Sequence, residues 1–438
     1  MIFSILSVII GLYALINYKK ALILYTIFQI FSMSTTLISI GGINLNSNLV
    51  LAYWYFFLYF IKNKKYKKAK EKFPFLFPFV LVSISLILSC FTAISGFLPE
   101  FTRIIMRIGS QYIYIYILWN VIETKDDFRY IFKYVTYIFF FASIYGIVEY
   151  FLNSNVLLDY KVILSSNTIN LYDSSGLRGY RLTSCFEHPL GAGMMFGLYS
   201  SFYFALLVRN NKTVVRNKVG LITALLCLPC VILTKMRTAI IFTCIMFILV
   251  ILNKKLTVKI FKKILITILV FTPILLYVLF QNSELITNLF SSSTSSEIGG
   301  SSLMMRLDQF DAIRIIIRQS PLFGLGETFR DVMTVNELTI AAKGYEGILF
   351  EQMSMHGYFG VFVALVLMYY SIIKIPKKYQ SKEVAVVGIA YWLAYLVSSI
   401  PSFRLPFLYL VMFYFIKTSN RYKSKKGSKV ASSNATLI

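Results

Sequence analysis

Charge is scarce in this sequence, histidine is nearly absent, and basic residues outnumber acidic ones more than two to one. Only 14% of its 438 residues are charged, while 57% belong to the AVILMFWYC set. A water-soluble chain of this length needs far more polar surface, so soluble enzymes and soluble binding modules are excluded. The two histidines, His188 and His356, lack metal-ligand spacing, and no DxD pair occurs, so neither a metal nor another cofactor is expected. Cys90, Cys227, Cys230 and Cys244 sit in apolar runs and Cys185 stands alone in a loop, which excludes a disulfide framework. Cys227 and Cys230 have CxxC spacing but flank Pro229 within an apolar run, where packing explains them better than redox or metal chemistry. No small-residue cleavage site follows the first apolar run, so the N-terminus reads as a retained anchor.

What the sequence has in quantity is long hydrophobic runs, recurring at about the ~20 residues that a bilayer span requires. They fall at 2–17, 21–40, 49–61, 73–98, 103–122, 131–152, 187–208, 219–234, 238–252, 264–280, 348–373, 384–400 and 405–416. The expectation is an all-α, polytopic helix bundle of 12 or 13 spans. The runs are continuous and not alternating, which excludes a strand barrel. Residues 1–416 form one integral membrane domain and 417–438 a basic, disordered tail.

Lysine fixes the expected orientation. If the spans alternate, 31 of the 44 basic residues fall on one side, in segments such as KNKKYKKAKEK (62–72). The positive-inside rule makes that side cytoplasmic. The charge of +25 then reflects a basic face beside anionic lipid and not nucleic-acid binding. The remaining 13 basic residues are mostly arginine: Arg103, Arg107, Arg178, Arg181, Arg237, Arg306, Arg314, Arg318, Arg330 and Arg404, against Lys161, Lys235 and Lys343. Arginine grips phosphate or carboxylate with a rigid, bidentate fork. The outer face is therefore expected to hold an anion.

Two outer connections are long, at about 153–187 and 281–347. The second opens on a serine tract (291–302) and continues as MMRLDQFDAIRIIIRQSPLFGLG (304–326). Met305, Leu307, Phe310, Ile313, Ile316 and Ile317 recur at helical spacing, predicting an amphipathic interfacial helix ended by Pro321 and Gly324. Arg306, Arg314 and Arg318 lie on its polar side or edge, where headgroup or solvent contact competes with a binding role. Glu187-His188-Pro189 reads as a helix cap, with proline at an early helical position. Arg103 and Arg107 share a helix face and are placed to reach outward.

Four segments in this order resemble the bacterial O-antigen polymerase and O-antigen ligase superfamily: RGYRLTSCFEHPLGAGMMFGL (178–198), LTKMRTAIIF (233–242), RLDQFDAIRIIIRQSPLFGLGE (306–327) and YEGILFEQMSMHGYFG (345–360). They resemble, respectively, the family's R-x-x-S/G-x-F-x-x-P loop, its SRT turn (with Met236 in place of serine), its arginine-led interfacial helix ending in P-x-x-G-x-G, and the start of its next span ending in G-x-x-G. The likeness covers about residues 170–375. It implies a glycosyltransferase of the inner membrane, multi-pass, whose active site faces the periplasm or exterior. Its substrate would be a polyprenyl-pyrophosphate-linked oligosaccharide in contact with membrane lipids. A chain-length regulator and a flippase are partners implied on the same ground.

In that reaction an acceptor hydroxyl attacks the anomeric carbon and polyprenyl pyrophosphate leaves. Fixed positive charge must meet the leaving diphosphate; Arg181, Arg237 and Arg306 are the first candidates, with Arg314 and Arg178 beside them. A carboxylate serves as general base, Glu346 first and Glu187 second. Glu346-Gly347 stands where ligases of the family carry His-Asn, which favours a polymerase. A ligase remains an alternative within the class. A polysaccharide flippase or transporter is the alternative outside it, disfavoured because charge is almost absent from mid-span and no internal repeat is visible.

Overall fold

The computed structural model describes residues 2–31, 36–40, 43–62, 72–159, 179–209, 218–253, 303–329, 347–398 and 403–419. The helices are α1 (Ile2–Ile16), α2 (Tyr18–Phe31), α3 (Ser47–Lys62), α4 (Leu76–Ser89), α5 (Phe97–Arg107), α6 (Tyr114–Val121), α7 (Lys125–Leu152) and α8 (Pro189–Val208). They continue as α9 (Lys218–Leu233), α10 (Arg237–Leu252), α11 (Leu303–Ile316), α12 (Ile348–Tyr369), α13 (Ile375–Tyr379), α14 (Lys382–Val397) and α15 (Leu405–Lys417). A π-helical turn, Ile108–Ile113, joins α5 to α6, and a second, Tyr370–Lys374, joins α12 to α13. Three helical stretches, Lys125–Leu152, Pro189–Val208 and Ile348–Tyr379, are long and apolar enough to cross a membrane, and several shorter apolar helices surround them. Large apolar side chains such as Ile9, Leu12, Phe60, Phe141, Phe151 and Phe362 face outward from the bundle, which suits a lipid environment.

The expected spans correspond to these helices, with three differences. The run at 73–98 is helical only over Leu76–Ser89, and α5 starts at Phe97, six residues ahead of the expected 103. The run at 21–40 stops being helical at Phe31, and Thr36–Ile40 pairs antiparallel with Ile43–Asn46. The sequence TLISI-GG-INLN carries a period-two pattern of β-branched residues around a Gly-Gly dipeptide, a hairpin signal that the overall hydropathy hides. Conversely, α7 begins six residues before the expected 131. Thr124 accepts from the Asp127 N–H (3.1 Å) while the Asp127 carboxylate accepts from the Thr124 N–H (2.9 Å), a capping box that starts the helix inside a charged segment. The expected span at 264–280 and the tail beyond Ser419 lie outside the described residues.

Contacts sort the connections into two ends, as alternation requires. At the lysine-rich end Lys19 pairs with Asp127 (2.7 Å), Lys62 donates to the Ala14 carbonyl (3.1 Å), and Arg209 donates to Thr418. At the arginine-rich end the Leu182 N–H donates to the Leu233 carbonyl (3.1 Å), Ile94 donates to Leu325 (3.2 Å), and Arg404 pairs with Glu187 (3.8 Å).

Helix α8 is the centre of the bundle; nearly all of its side chains are buried. Its Gly193 and Gly197 face Ala239 and Thr243 of α10 so closely that a Cβ at either glycine would stand 2.6 Å from Ala239 and 2.2 Å from Thr243. Glycines four apart let two helices approach at backbone distance, the usual route to tight packing in membranes. Because 193 faces 239 and 197 faces 243, α8 and α10 run parallel, and their N-termini emerge side by side at the arginine-rich end.

The amphipathic helix expected after the serine tract is α11. Ile313 and Ile316 bury against Leu325, Phe329 and Met355, which seats it on α12. Beyond α11, residues 321–326 enter a break in α12. Gly357 there has φ +64 and ψ −162, so the helix is interrupted and its backbone groups need other partners. The turn supplies them. Tyr358 and Phe359 donate to the carbonyls of Pro321 (2.9 Å) and Leu322 (3.1 Å), and Leu325 and Gly326 donate to those of Ser354 (2.9 Å) and Met355 (3.0 Å). Gly324, at φ +70, lies so near this break that a Cβ would meet the His356 nitrogen at 2.4 Å, and one on Gly357 would meet Leu322 at 2.5 Å. The third and fourth sequence motifs thus interlock backbone to backbone, and each needs its glycine to do so.

Candidate active site at the arginine-rich end

Two buried glutamates hold the two motif loops in the same manner. Glu149, near the end of α7, accepts from the Thr183 N–H (2.9 Å), the Ser184 N–H (2.6 Å), the Thr183 hydroxyl (3.0 Å) and the Tyr180 hydroxyl (2.9 Å). Glu100, in α5, accepts from the N–H groups of Glu327 and Thr328 and from the Thr328 hydroxyl (2.6 Å). In each case one carboxylate meets two successive backbone N–H groups and a threonine hydroxyl, satisfying donors that a buried loop would otherwise leave unmet.

The first clamp fixes the loop that carries Arg181. This side chain is half-buried, with Met236 Sδ 4.0 Å from its guanidinium. Beside it lies Lys235, 7% exposed, in the tight turn between α9 and α10; its ammonium lies over the Tyr150 ring at 5.2 Å. Lys235 has φ +54, an uncommon backbone conformation for a lysine. Arg237 is the first residue of α10, and His188 caps α8, its Nδ1 accepting from the Leu190 N–H (3.1 Å) with Pro189 next, as the Glu-His-Pro sequence predicts.

The electrostatics of this cluster are consistently positive. Burial, reinforced by the neighbouring Arg181, pulls the Lys235 ammonium down to about 8. The same two causes pull His188 down to about 4, so its imidazole is neutral near pH 7 and free to accept at Nδ1. Burial also lowers Arg181 from its ordinary value. Parallel α8 and α10 add two helix N-termini, each equivalent to about +0.5 charge, where an arginine such as Arg237 is disfavoured unless an anion is near. Like charges held together at partial burial repel one another, a cost that a bound anion would relieve.

The second clamp fixes the turn at Glu327. The Glu327 carboxylate ion-pairs with Arg107 and lies 3.8 Å from His356 Nε2. Burial raises this carboxyl, but the Arg107 charge, helped by His356 and Arg103, outweighs it and leaves Glu327 below its usual range. Arg103 reaches toward the Glu327 carbonyl at 3.5 Å. Arg107 and Arg103 therefore turn toward the loop at 326–329, at the arginine-rich end.

Of the residues singled out from the sequence, Arg181 falls in the cationic cluster, and Arg237 opens α10 two residues after Lys235. Glu187 is engaged by Arg404 at 3.8 Å, tying the start of α8 to the start of α15. Arg314 is exposed on α11 and pairs with Asp311 (3.7 Å), three residues away on the same helix. Arg306 lies in the first turn of α11, its side chain outside the described residues, and Glu346 and Arg178 lie outside them altogether. Lys235, Glu149 and Glu100 are the contributors that sequence patterns did not single out; Arg107 and Glu327 were visible only as one of the outer arginines and as the last residue of the third motif. Of the three, Lys235 had a signal, as one of the few lysines expected on the outer side.

The fold defines a helical membrane protein with an arginine-rich end. Residues 222–365 match the model of the O-antigen ligase family, which supports the O-antigen ligase and polymerase superfamily, a group of glycosyltransferase-like enzymes that use lipid-linked glycans. Helices α1–α8 precede the matched segment, so both clamping glutamates lie outside it. No curated protein matches the chain.

Proposed function

We propose that this protein is a surface-polysaccharide polymerase of the inner membrane that joins repeat units carried on polyprenyl pyrophosphate, working on the exterior or periplasmic side. What supports the reading is Arg181 beside the buried Lys235, with Arg237 opening α10 two residues further on. In the reaction an acceptor sugar oxygen bonds to the anomeric carbon of a second, lipid-linked glycan. The carbon–oxygen bond to the diphosphate breaks, and polyprenyl diphosphate leaves with the electron pair. The acceptor proton passes to a carboxylate, for which Glu346 is the candidate. Negative charge grows on the diphosphate as the bond breaks, and fixed cations stabilise it most in the transition state. Side chains supply that charge in this reading, so the transfer is metal-independent. Arg306 is assigned to the same diphosphate; Arg178 and Arg314 are given supporting contacts, and a chain-length regulator and flippase are proposed partners.

The family description favours a second reading, a ligase that transfers glycan to lipid A-core. Glu346 in the place of the ligase His-Asn pair favours the polymerase. The deletion strain separates them. A polymerase mutant leaves lipid A-core bearing a single repeat unit; a ligase mutant leaves bare core and polymer accumulated on the carrier lipid. Gel banding of lipopolysaccharide from the deletion strain is expected to show the first pattern, and the second would overturn the polymerase reading.

The pH response follows from Lys235. Its charge is complete near pH 6 and lost as pH rises through about 8. A bound diphosphate favours the ammonium and raises that value. Alkaline pH is therefore expected to weaken donor binding more than turnover. Between pH 7 and 9 the KM for lipid-linked donor should rise about 10-fold while kcat changes little, and Lys235→Arg should flatten the profile. Steady-state rates in proteoliposomes test this.

A further inference from the structure

The bundle encloses a cavity of about 150 Å³ between α4, the π-helical turn after α5, α12, α14 and α15. Its polar lining includes Arg107, Gln111, Gln352, His356 and two serines, Ser85 and Ser371, and α14 contributes the aromatic side chains Tyr391, Trp392 and Tyr395. His356 is 2% exposed, and neither ring nitrogen has a hydrogen-bond partner among the described residues. Glu327, at 3.8 Å, is too far from Nε2 for a hydrogen bond. Buried polar atoms left unmet are costly, so the cavity wall carries an unanswered demand for both a donor and an acceptor.

The lining defines what would answer it. Two planar carboxamides and an imidazole offer donors and acceptors, a pattern that hydroxyl groups complement in either role. The tyrosine and tryptophan rings offer flat apolar surface to the C–H face of a ring. The cavity has room for several waters or for one ring-sized polar ligand. A prenyl chain would leave the amides and imidazole unsatisfied.

We propose that this cavity is a monosaccharide-sized binding subsite for a pyranose ring of the acceptor glycan. Assigning the ring to the acceptor rests on the polymerase reading; the binding of a sugar does not. Through Glu327 the cavity adjoins the turn at 321–329, so an occupant would sit against the segment in which the third and fourth motifs interlock.

Trp392 provides the test, because the chain has three tryptophans and only this one lines the cavity. In full-length protein carrying Trp54→Phe and Trp119→Phe, the probe is the repeat-unit oligosaccharide released from the host strain's own polysaccharide. It is expected to change Trp392 emission saturably, with at least 10-fold weaker binding in Gln352→Leu and in His356→Leu. No saturable change, an equal change in both variants, or a change produced by polyprenyl phosphate alone would overturn the subsite. Should the double tryptophan variant fail to fold, the thermal shift of the wild-type chain with the same oligosaccharide decides: a shift lost in Gln352→Leu supports the subsite and no shift refutes it. Saccharide binding in a protein whose deletion leaves polymer ladders intact would keep the subsite and sink the polymerase reading. Lost ladders without saccharide binding would do the reverse.

Discussion

Glu149→Leu is expected to abolish polymer ladders and to lower the melting temperature of the purified protein. The carboxylate is 1% exposed and accepts four hydrogen bonds from the loop that carries Arg181. Leucine removes the acceptor without removing the donors, so the N–H groups of Thr183 and Ser184 are left buried and unmet. Each such group costs about 1–3 kcal/mol, enough to release the loop and with it Arg181. Glu149→Gln keeps the shape and one carbonyl oxygen but turns an amide N–H toward donors, so an intermediate melting temperature and shortened ladders are expected. Thermal unfolding in detergent, read beside gel banding, checks both variants. Wild-type ladders in Glu149→Leu would show that the loop is not held in this way.

Arg181→Lys and Arg237→Lys are expected to leave folding intact and to cut the transfer rate by about 10-fold to 100-fold. Loss of one fixed donor to a developing anion costs on the order of 10²–10³ in rate, and lysine retains the charge while losing the fork. The effect should therefore be smaller than for alanine at either position. In the cluster, Arg181 also lowers its neighbours Lys235 and His188, so Arg181→Ala should raise the pKa of both. Rates from proteoliposomes, together with a titration of His188 followed by its ring resonances, measure the two effects. Equal rates for wild type and the two lysine variants would remove the anion site from the account.

The sequence makes the spans legible because a hydrophobic run needs no partner to be recognised. The Glu187-His188-Pro189 cap and the α11 stripe are legible for the same reason: their determinants lie within one helical turn or one periodic segment. The hairpin at 36–46 was hidden by a window longer than its strands. The clamps were illegible. Glu149 meets residues 31 to 35 positions away, and Glu100 meets residues 227 and 228 positions away, and nothing in the local pattern around either glutamate announces its partner. The P-x-x-G-x-G and G-x-x-G motifs were visible, but their reason was not. Only the fold shows that Gly324 and Gly357 are apposed across a broken helix. The sequence places Arg103 and Arg107 on one helix face but does not show what they meet, because Glu327 comes from a turn more than 200 positions away.

The most direct measurement of the central claim is a reconstitution with a single substrate. Purified protein in liposomes receives one polyprenyl-pyrophosphate-linked repeat unit, with no lipid A-core present, and the products are resolved by chain length. The account expects dimers and longer oligomers on the carrier lipid, with polyprenyl diphosphate released in step and both suppressed in Arg237→Lys. Product that forms only when lipid A-core is added would contradict it and identify a ligase.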